Sequence, residues 1–267
     1  MKNVLLLVHD DVGQESRLQV ALDLTRALDG HLICVDVAVF PQIVGEMSAV
    51  SIEGVLFADE QNREAANRRR LEARLPVEGV AWTWHDVAGG MATAVKEKSR
   101  MADIVVVSRK LDSEPLPDML AVTSEVIIHS GRTVVAVPEK ASGFDAAGHA
   151  IIFWDGSEEA VTVLESAIPL LQLARVVTIV EVRDGTVELP GEDAASYLSR
   201  HGIKPVIVKR RDNAVPTSEI LLAEAEAEGA DYIVMGGFGR SRIAEAIFGG
   251  VSREVLTQSA IPVVMAH

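Results

Sequence analysis

Four segments of the chain occur twice, in the same order, and this repetition limits the possible folds more than any single motif does. Val4-Leu5-Leu6-Leu7-Val8-His9-Asp10 is matched by Ile151-Ile152-Phe153-Trp154-Asp155, and Leu32-Ile33-Cys34-Val35-Asp36-Val37 by Val177-Thr178-Ile179-Val180-Glu181-Val182. The interval from Asp10 to Val37 and from Asp155 to Val182 is the same 27 residues. Farther on, Ala102-Asp103-Ile104-Val105-Val106-Val107 is echoed by Ala230-Asp231-Tyr232-Ile233-Val234-Met235. The run Ser130-Gly131-Arg132-Thr133-Val134-Val135-Ala136-Val137 is echoed by Ser259-Ala260-Ile261-Pro262-Val263-Val264-Met265-Ala266. Two copies of one unit explain the 267 residues more economically than one large domain. The units fall at residues 1–139 and 149–267, with a connection from Pro138 to about Gly148 that is rich in small residues.

Within each unit, short continuous apolar runs alternate with longer amphipathic stretches, the pattern of parallel strands buried on both faces and joined by crossover helices. In the second unit this predicts strands near 150–154, 176–182, 204–209, 231–235 and 262–266, and helices near 157–173, 191–201, 217–228 and 250–258. Pro205 cannot donate to a ladder, so the third run reads as an edge strand. The third helix is expected to be capped by a hydroxyl of Thr217 or Ser218. The first unit carries a longer polar helix from about Ala58 to Arg74, with Arg68-Arg69-Arg70 as a solvated face. Right-handed crossovers then give an α/β fold of two doubly wound parallel five-stranded sheets in tandem.

With 39 Asp and Glu against 25 Lys and Arg, the formal net charge of −14 repels nucleic acid and anionic membranes, so neither is expected as a partner. Only five apolar residues, Val4 to Val8, follow Met1-Lys2-Asn3, too few for a secretory core, and no run is long enough to span a membrane. The cytoplasm is the expected location. Cys34 is the only cysteine and lies in a central strand, where a buried, inert thiol is expected.

The chemistry concentrates near the end of the chain. The strand Asp231 to Met235 runs into Gly236-Gly237-Phe238-Gly239, and nine residues later Gly249-Gly250-Val251-Ser252 opens a helix. Glycines at 236 and 239 let backbone N–H groups approach an anion, and a helix N-terminus favours negative charge. These features read together as a phosphate cradle. Each has a plainer reading beside it: Asp155 as a helix cap, the glycines as turn formers, Ser252 as a cap of the last helix.

Asp155-Gly156-Ser157 at the end of a strand, followed by Gly236-x-x-Gly239 and Gly249 at this spacing, resembles the universal stress protein family, and the repeat makes the chain similar to its tandem two-domain members. The resemblance covers nearly the whole chain, with specific motifs in the second unit and a shared layout in the first. It implies sheets ordered 3-2-1-4-5, adenine-nucleotide binding in some members, and dimerisation often through the last strand. A homodimer is the expected assembly. By similarity, Asp155 holds the adenine or ribose side and Val182 flanks the base. Met235 and Gly236 lie against the ribose, and Gly239, Gly249, Gly250, Val251 and Ser252 contact phosphates. Arg240 is added for its charge alone. The implied ligand is ATP or a related adenine nucleotide, with Mg²⁺ only as its companion.

Two departures bear on this reading. Gly250 stands where the family's ATP-binding pattern has Ser or Thr, and losing that hydroxyl costs roughly 1.5–3 kcal/mol, or about tenfold to a hundredfold in affinity. Trp154 replaces a small residue before the aspartate, where it either stacks on a base or fills its pocket. The first unit has Ser108-Arg109-Lys110-Leu111-Asp112 in place of the glycine turn and Leu120-Ala121-Val122-Thr123 in place of Gly249 to Ser252, so a structural or interaction role is expected there although Asp10 keeps the aspartate position.

Other signatures are missing. Gly236 to Gly239 does not fit G-x-G-x-x-G, and neither a P-loop nor a nucleophile elbow occurs. His9-Asp10-Asp11 and His85-Asp86 hint at metal, but neither has partners at recognisable spacing, so ordinary polar strand ends are expected. No residue can be named as catalytic. The leading function is a stress-response protein that binds nucleotide. The alternative is a nucleotide-independent scaffold in which Thr133–Val137 packs against Pro262–Ala266 and dimerisation supplies the functional surface. A slow ATP hydrolase is a third, weaker reading.

Overall fold

The computed structural model describes residues 1–40, 49–113, 117–183, 185, 187–211, 214–239 and 250–267, with side chains in 49–53 outside this description. The N-terminal half runs β1 (Asn3–Val8), α1 (Gln14–Ala27), β2 (His31–Ala38), α2 (Ala49–Arg74), β3 (Ala81–Ala88), α3 (Met91–Lys98), β4 (Ile104–Ser108), α4 (Met119–Ser130) and β5 (Thr133–Val137). The C-terminal half follows with β6 (His149–Trp154), α5 (Glu158–Ser166), α6 (Ile168–Leu171), β7 (Val176–Val182), α7 (Gly191–Arg200) and β8 (Val206–Arg210). It ends with α8 (Thr217–Ala227), β9 (Tyr232–Gly236), α9 (Val251–Gln258) and β10 (Val263–Ala266).

Both halves keep the expected 3-2-1-4-5 order, but the two sheets are continuous. The strands run β3-β2-β1-β4-β5-β10-β9-β6-β7-β8. Pairing is parallel within each half, and the halves meet where β5 and β10 pair antiparallel, Val263 opposite Ala136 and Met265 opposite Val134. The expected packing of the two last strands is therefore a hydrogen-bonded ladder.

Alternation of side chains divides the core into two layers. Val4, Leu6 and Val8 of β1 belong to the layer that α1, α2, α5, α6 and α7 cover on one face, whereas Leu5 and Leu7 belong to the layer that α3, α4, α8 and α9 cover on the other. Each such side chain contributes about 1.5–3 kcal/mol on burial. The connection is itself docked: Phe144 stacks at 4.7 Å on Tyr232, and its N–H donates to Asp23 Oδ2 at 3.0 Å.

Sequence and structure differ locally in three places, and the expected edge strand is found. The helix expected at 157–173 is two helices, because Pro169 in the first turn of α6 has no N–H to continue the ladder. The residue capping α8 is Pro216 rather than Thr217 or Ser218, and no side chain caps that helix. The Ser218 hydroxyl donates instead to Glu254 of α9. The α2 helix begins at Ala49, earlier than the expected Ala58. Pro205 lies just before β8, which is the sheet edge. Among the described residues no helix is long and apolar enough to cross a membrane.

Candidate functional site

Strands β6 and β9 are parallel neighbours with Phe153 opposite Met235, so the residues that follow them, Asp155 and Gly237 to Gly239, leave the sheet at the same end. The α5 helix starts between them. Its cap is Ser157, whose Oγ accepts from the Ala160 N–H at 3.2 Å. Asp155 stands behind that cap: its Oδ1 accepts from the Ser157 N–H at 3.0 Å and from the Ser157 hydroxyl at 2.7 Å. The glycine turn presses on the same helix start. A Cβ at position 236 would lie 2.7 Å from the Ala160 nitrogen, and one at 239 would collide with the Glu159 carboxylate. Phe238 sits between them in the left-handed region, at φ 58°.

Ser252, in the first turn of α9, ties that helix to the turn. Its Oγ accepts from the Phe238 N–H at 3.2 Å and lies 3.4 Å from the Gly236 carbonyl oxygen, to which it donates. Gly250 occupies the cap position of α9 and Val251 the first helical position. Asp155, Gly236, Gly239, Gly250, Val251 and Ser252 thus form one connected group around the starts of α5 and α9. Val182 and Met235 are core residues that pack with Phe153. Arg240 and Gly249 lie outside the described residues. Trp154 is buried, with Nε1 donating to the Leu189 carbonyl at 2.8 Å, so it fills space beneath the segment Glu188 to Pro190. A cleft of about 530 Å³ opens beside it, lined by Gly156, Glu158, Val161, Thr162, Glu188 and Leu189. The first turn of α5 carries both Glu158 and Glu159, and the Glu159 carboxylate faces the turn.

The corresponding place in the N-terminal half is filled. Arg17 of α1 has 0% exposure, and its guanidinium makes a two-pronged pair with Asp11 at 2.8 Å on both nitrogens. It also donates to the Ser108 hydroxyl at 2.7 Å and to the Leu7 and His9 carbonyls at 3.1 Å. Thr123, at the position of Ser252, donates from Oγ1 to the Ser108 carbonyl at 2.5 Å. The expected loss of the glycine turn is thus accompanied by a guanidinium in the gap between β1 and β4.

A second group adjoins this one through His9, whose carbonyl accepts from Arg17. His9, just past β1, meets Glu60 and Glu64 of α2, with Nδ1 2.7 Å from Glu64 Oε1 and 3.7 Å from Glu60 Oε1. Asp36 of β2 is held above the ordinary carboxylate range, first by burial and then by the Glu64 charge. Burial acts on Glu64 in the same direction, but hydrogen bonding and charge from His9 outweigh it and keep that carboxyl low. The arginine row was expected to be solvated. It is largely exposed, as expected, and makes surface ion pairs: Arg68 with Glu72 and Asp86, and Arg70 with Asp10 at 2.9 Å. His9 was legible as a polar strand end, but Glu60 and Glu64 lie more than fifty positions away on a helix, and no spacing rule links them to it.

The universal stress protein family model matches residues 132–267, a little over half of the chain. None of the curated proteins matches it by sequence. Among solved structures, a universal stress protein from Archaeoglobus fulgidus DSM 4304 superposes with a TM-score of 0.74 at 16% identity, covering 99% of this chain and 95% of that one. A functionally unknown protein, PA1789, from Pseudomonas aeruginosa PAO1 superposes with a TM-score of 0.60 at 14% identity, covering 100% of this chain and 92% of that one. At these identities the likeness is one of fold, and it extends over both halves. Together with the sheet order and the family match, it means that the chain belongs to the universal stress protein family.

Proposed function

We propose that the chain is a tandem member of its family, with units at 1–139 and 149–267, and that the C-terminal unit binds ATP or a related adenine nucleotide in a stress-response role in the cytoplasm. The observation that carries this reading is the grouping of Asp155, the turn from Gly236 to Gly239 and the start of α9 at one end of the neighbouring strands β6 and β9. A cleft at the carboxyl ends of such strands is where ligands of open α/β sheets bind. In this reading Asp155 accepts from amine or hydroxyl groups, and Gly236 and Met235 border the ribose with Val182 beneath the base. Backbone donors of Gly239, Gly250, Val251 and Ser252 receive phosphates, joined by Gly249 and Arg240. Mg²⁺ travels with the nucleotide and offsets the Glu159 carboxylate that faces Gly239.

Chromatography of material released when the purified chain is denatured tests the proposal. An adenine nucleotide is expected, together with saturable ATP binding that Asp155→Ala abolishes while the fold persists. The absence of both release and binding at millimolar ATP would overturn the reading, and unchanged binding in Asp155→Ala would remove that residue from the site.

A specific observation favours the alternative, a nucleotide-independent scaffold. The Ser252 hydroxyl is engaged with the turn, as the Thr123 hydroxyl is in the half without glycines, so this contact serves the architecture whether or not a ligand binds. Homodimerisation, if it supplies the function, uses a surface other than the last strand, since β10 is already paired with β5. Sedimentation equilibrium on nucleotide-free protein separates the two: a ligand-independent dimer supports the scaffold.

A further inference from the structure

We propose that the N-terminal half binds a divalent transition-metal ion of the zinc class through His9, Glu60 and Glu64, with Asp36 beside them as a further carboxylate. Among the described residues these three form the group whose ligand atoms all lie within 4.8 Å of one another. Zinc bonds to imidazole nitrogen and carboxylate oxygen are about 2.0–2.2 Å long, which spaces tetrahedral ligands about 3.3 Å apart. The observed separations from His9 Nδ1, 2.7 Å to Glu64 and 3.7 Å to Glu60, bracket that spacing. Glu60 and Glu64 are one turn apart on α2 and so present their carboxylates on the same side of the helix. Glu64 is further oriented by the Asp10 N–H at 3.1 Å and by Asn67 Nδ2 at 3.2 Å, the kind of outer support that metal ligands need.

The second, independent observation is Asp36. It is 3% exposed, its Oδ1 has no hydrogen-bond partner, and it lines with Glu64 a cleft of about 420 Å³. With that oxygen unpaired, ionising Asp36 in this place is costly unless a compensating charge or donor is supplied. The repeat provides an internal control. Glu181 stands at the matching place in β7 and is equally buried, but it accepts from the Gly191 N–H at 2.8 Å and from Arg183 at 3.1 Å, with Lys209 at 3.5 Å. The C-terminal half thus supplies its own positive charge at this position and, by strand register, has Asp155 where the N-terminal half has His9. In the N-terminal half Arg68 is committed to Glu72 and Asp86. Arg63 pairs with Glu60 Oε2 at 2.7 Å, lies 3.9 Å from Glu64 Oε1 and comes within 3.4 Å of His9 Nε2, and its side chain is half-exposed. One imidazole with several carboxylates selects zinc and its neighbours over Mg²⁺ or Ca²⁺, which prefer oxygen alone. On binding, the ion replaces the proton between His9 Nδ1 and Glu64, and that proton is released to solvent.

Titration of the chelator-stripped full chain with Zn²⁺ in a calorimeter tests this. One equivalent is expected to bind, with binding lost in His9→Ala and Glu64→Gln and weakened about 10–100-fold in Asn67→Ala. Arg63→Ala is expected to bind more tightly, an effect that a purely structural ion-pair network does not produce. Lack of saturable binding at one equivalent, or unchanged binding in His9→Ala, would overturn the proposal. Displacement of Zn²⁺ by comparable Mg²⁺ would overturn the choice of metal. Should the His9 and Glu64 variants fail to fold, the ring signals of His9 in the wild-type NMR spectrum decide: they shift on adding Zn²⁺, and their constancy refutes the site.

Discussion

The gap between β1 and β4 and the gap between β6 and β9 are built on the same strands with the same connections, yet one holds a buried guanidinium and the other a glycine turn. What both retain is a hydroxyl near the start of the next helix, Thr123 or Ser252, directed at the last carbonyl of the fourth strand. The contrast separates what the fold requires from what a ligand site adds. The hydroxyl latch survives in the half that has lost its glycines, so it belongs to the scaffold. Gly236 meets the backbone of α5, whereas the matching close approach in the other half is between Gly13 at the start of α1 and the Ser108 side chain.

The strongest challenge to this comparison is Arg17→Met. It strands the Asp11 carboxylate and two carbonyls in the interior, and breaking one side of such a pair costs about 3–5 kcal/mol. Urea denaturation is expected to show that loss, and a change below about 1 kcal/mol would mean that the guanidinium merely occupies the gap. Gly236→Ala comes next. Its Cβ meets backbone of α5 at 2.7 Å, so about 1–3 kcal/mol of overpacking is expected, together with weaker nucleotide binding. Ser108→Ala, at the matching position of the other half, has no such clash to create and loses only the Arg17 contact.

Smaller effects sharpen the picture. Thr123→Val removes a short buried hydrogen bond and should cost about 1–1.5 kcal/mol, whereas Ser252→Ala, with longer contacts, should cost about 0.5 kcal/mol. Equal costs would erase the distinction in latch strength. Asp103 is a last point of comparison: it accepts from the backbone N–H groups of Lys2 and Asn3, as Asp231 does from His149. Burial alone would raise its pKa, but those N–H donors outweigh burial and hold it below the ordinary value. Its contribution is therefore present at neutral pH and is lost as pH falls through the lowered native value. The stability gap between wild type and Asp103→Asn is expected to narrow below about pH 4, and a gap that is flat in acid contradicts this.

Much of the architecture was legible because strands buried on both faces leave continuous apolar runs. The predicted 231–235 and the observed Tyr232–Gly236 differ by one position. Local breaks were harder. Pro169 divides a helix whose hydrophobic period continues across it, and α8 starts on Pro216 although two hydroxyls stood ready to cap it. At the site, Asp155 and the glycines could be brought together by strand order alone, since order fixes which ends are neighbours. The Glu159 carboxylate over Gly239 and the engagement of the Ser252 hydroxyl were invisible, because side-chain reach between separate elements has no period in sequence. The same holds for Arg17 and for Glu60 and Glu64, which act across the fold.

The antiparallel seam between β5 and β10 has an evolutionary corollary. In a pair of identical subunits every substitution is made on both sides at once, so neither partner can abandon a pocket without the other. Covalent fusion removes that constraint and makes the seam's formation independent of protein concentration. Each side is then free to drift under its own selection, and a single gene product can carry two unlike chemistries on one shared sheet.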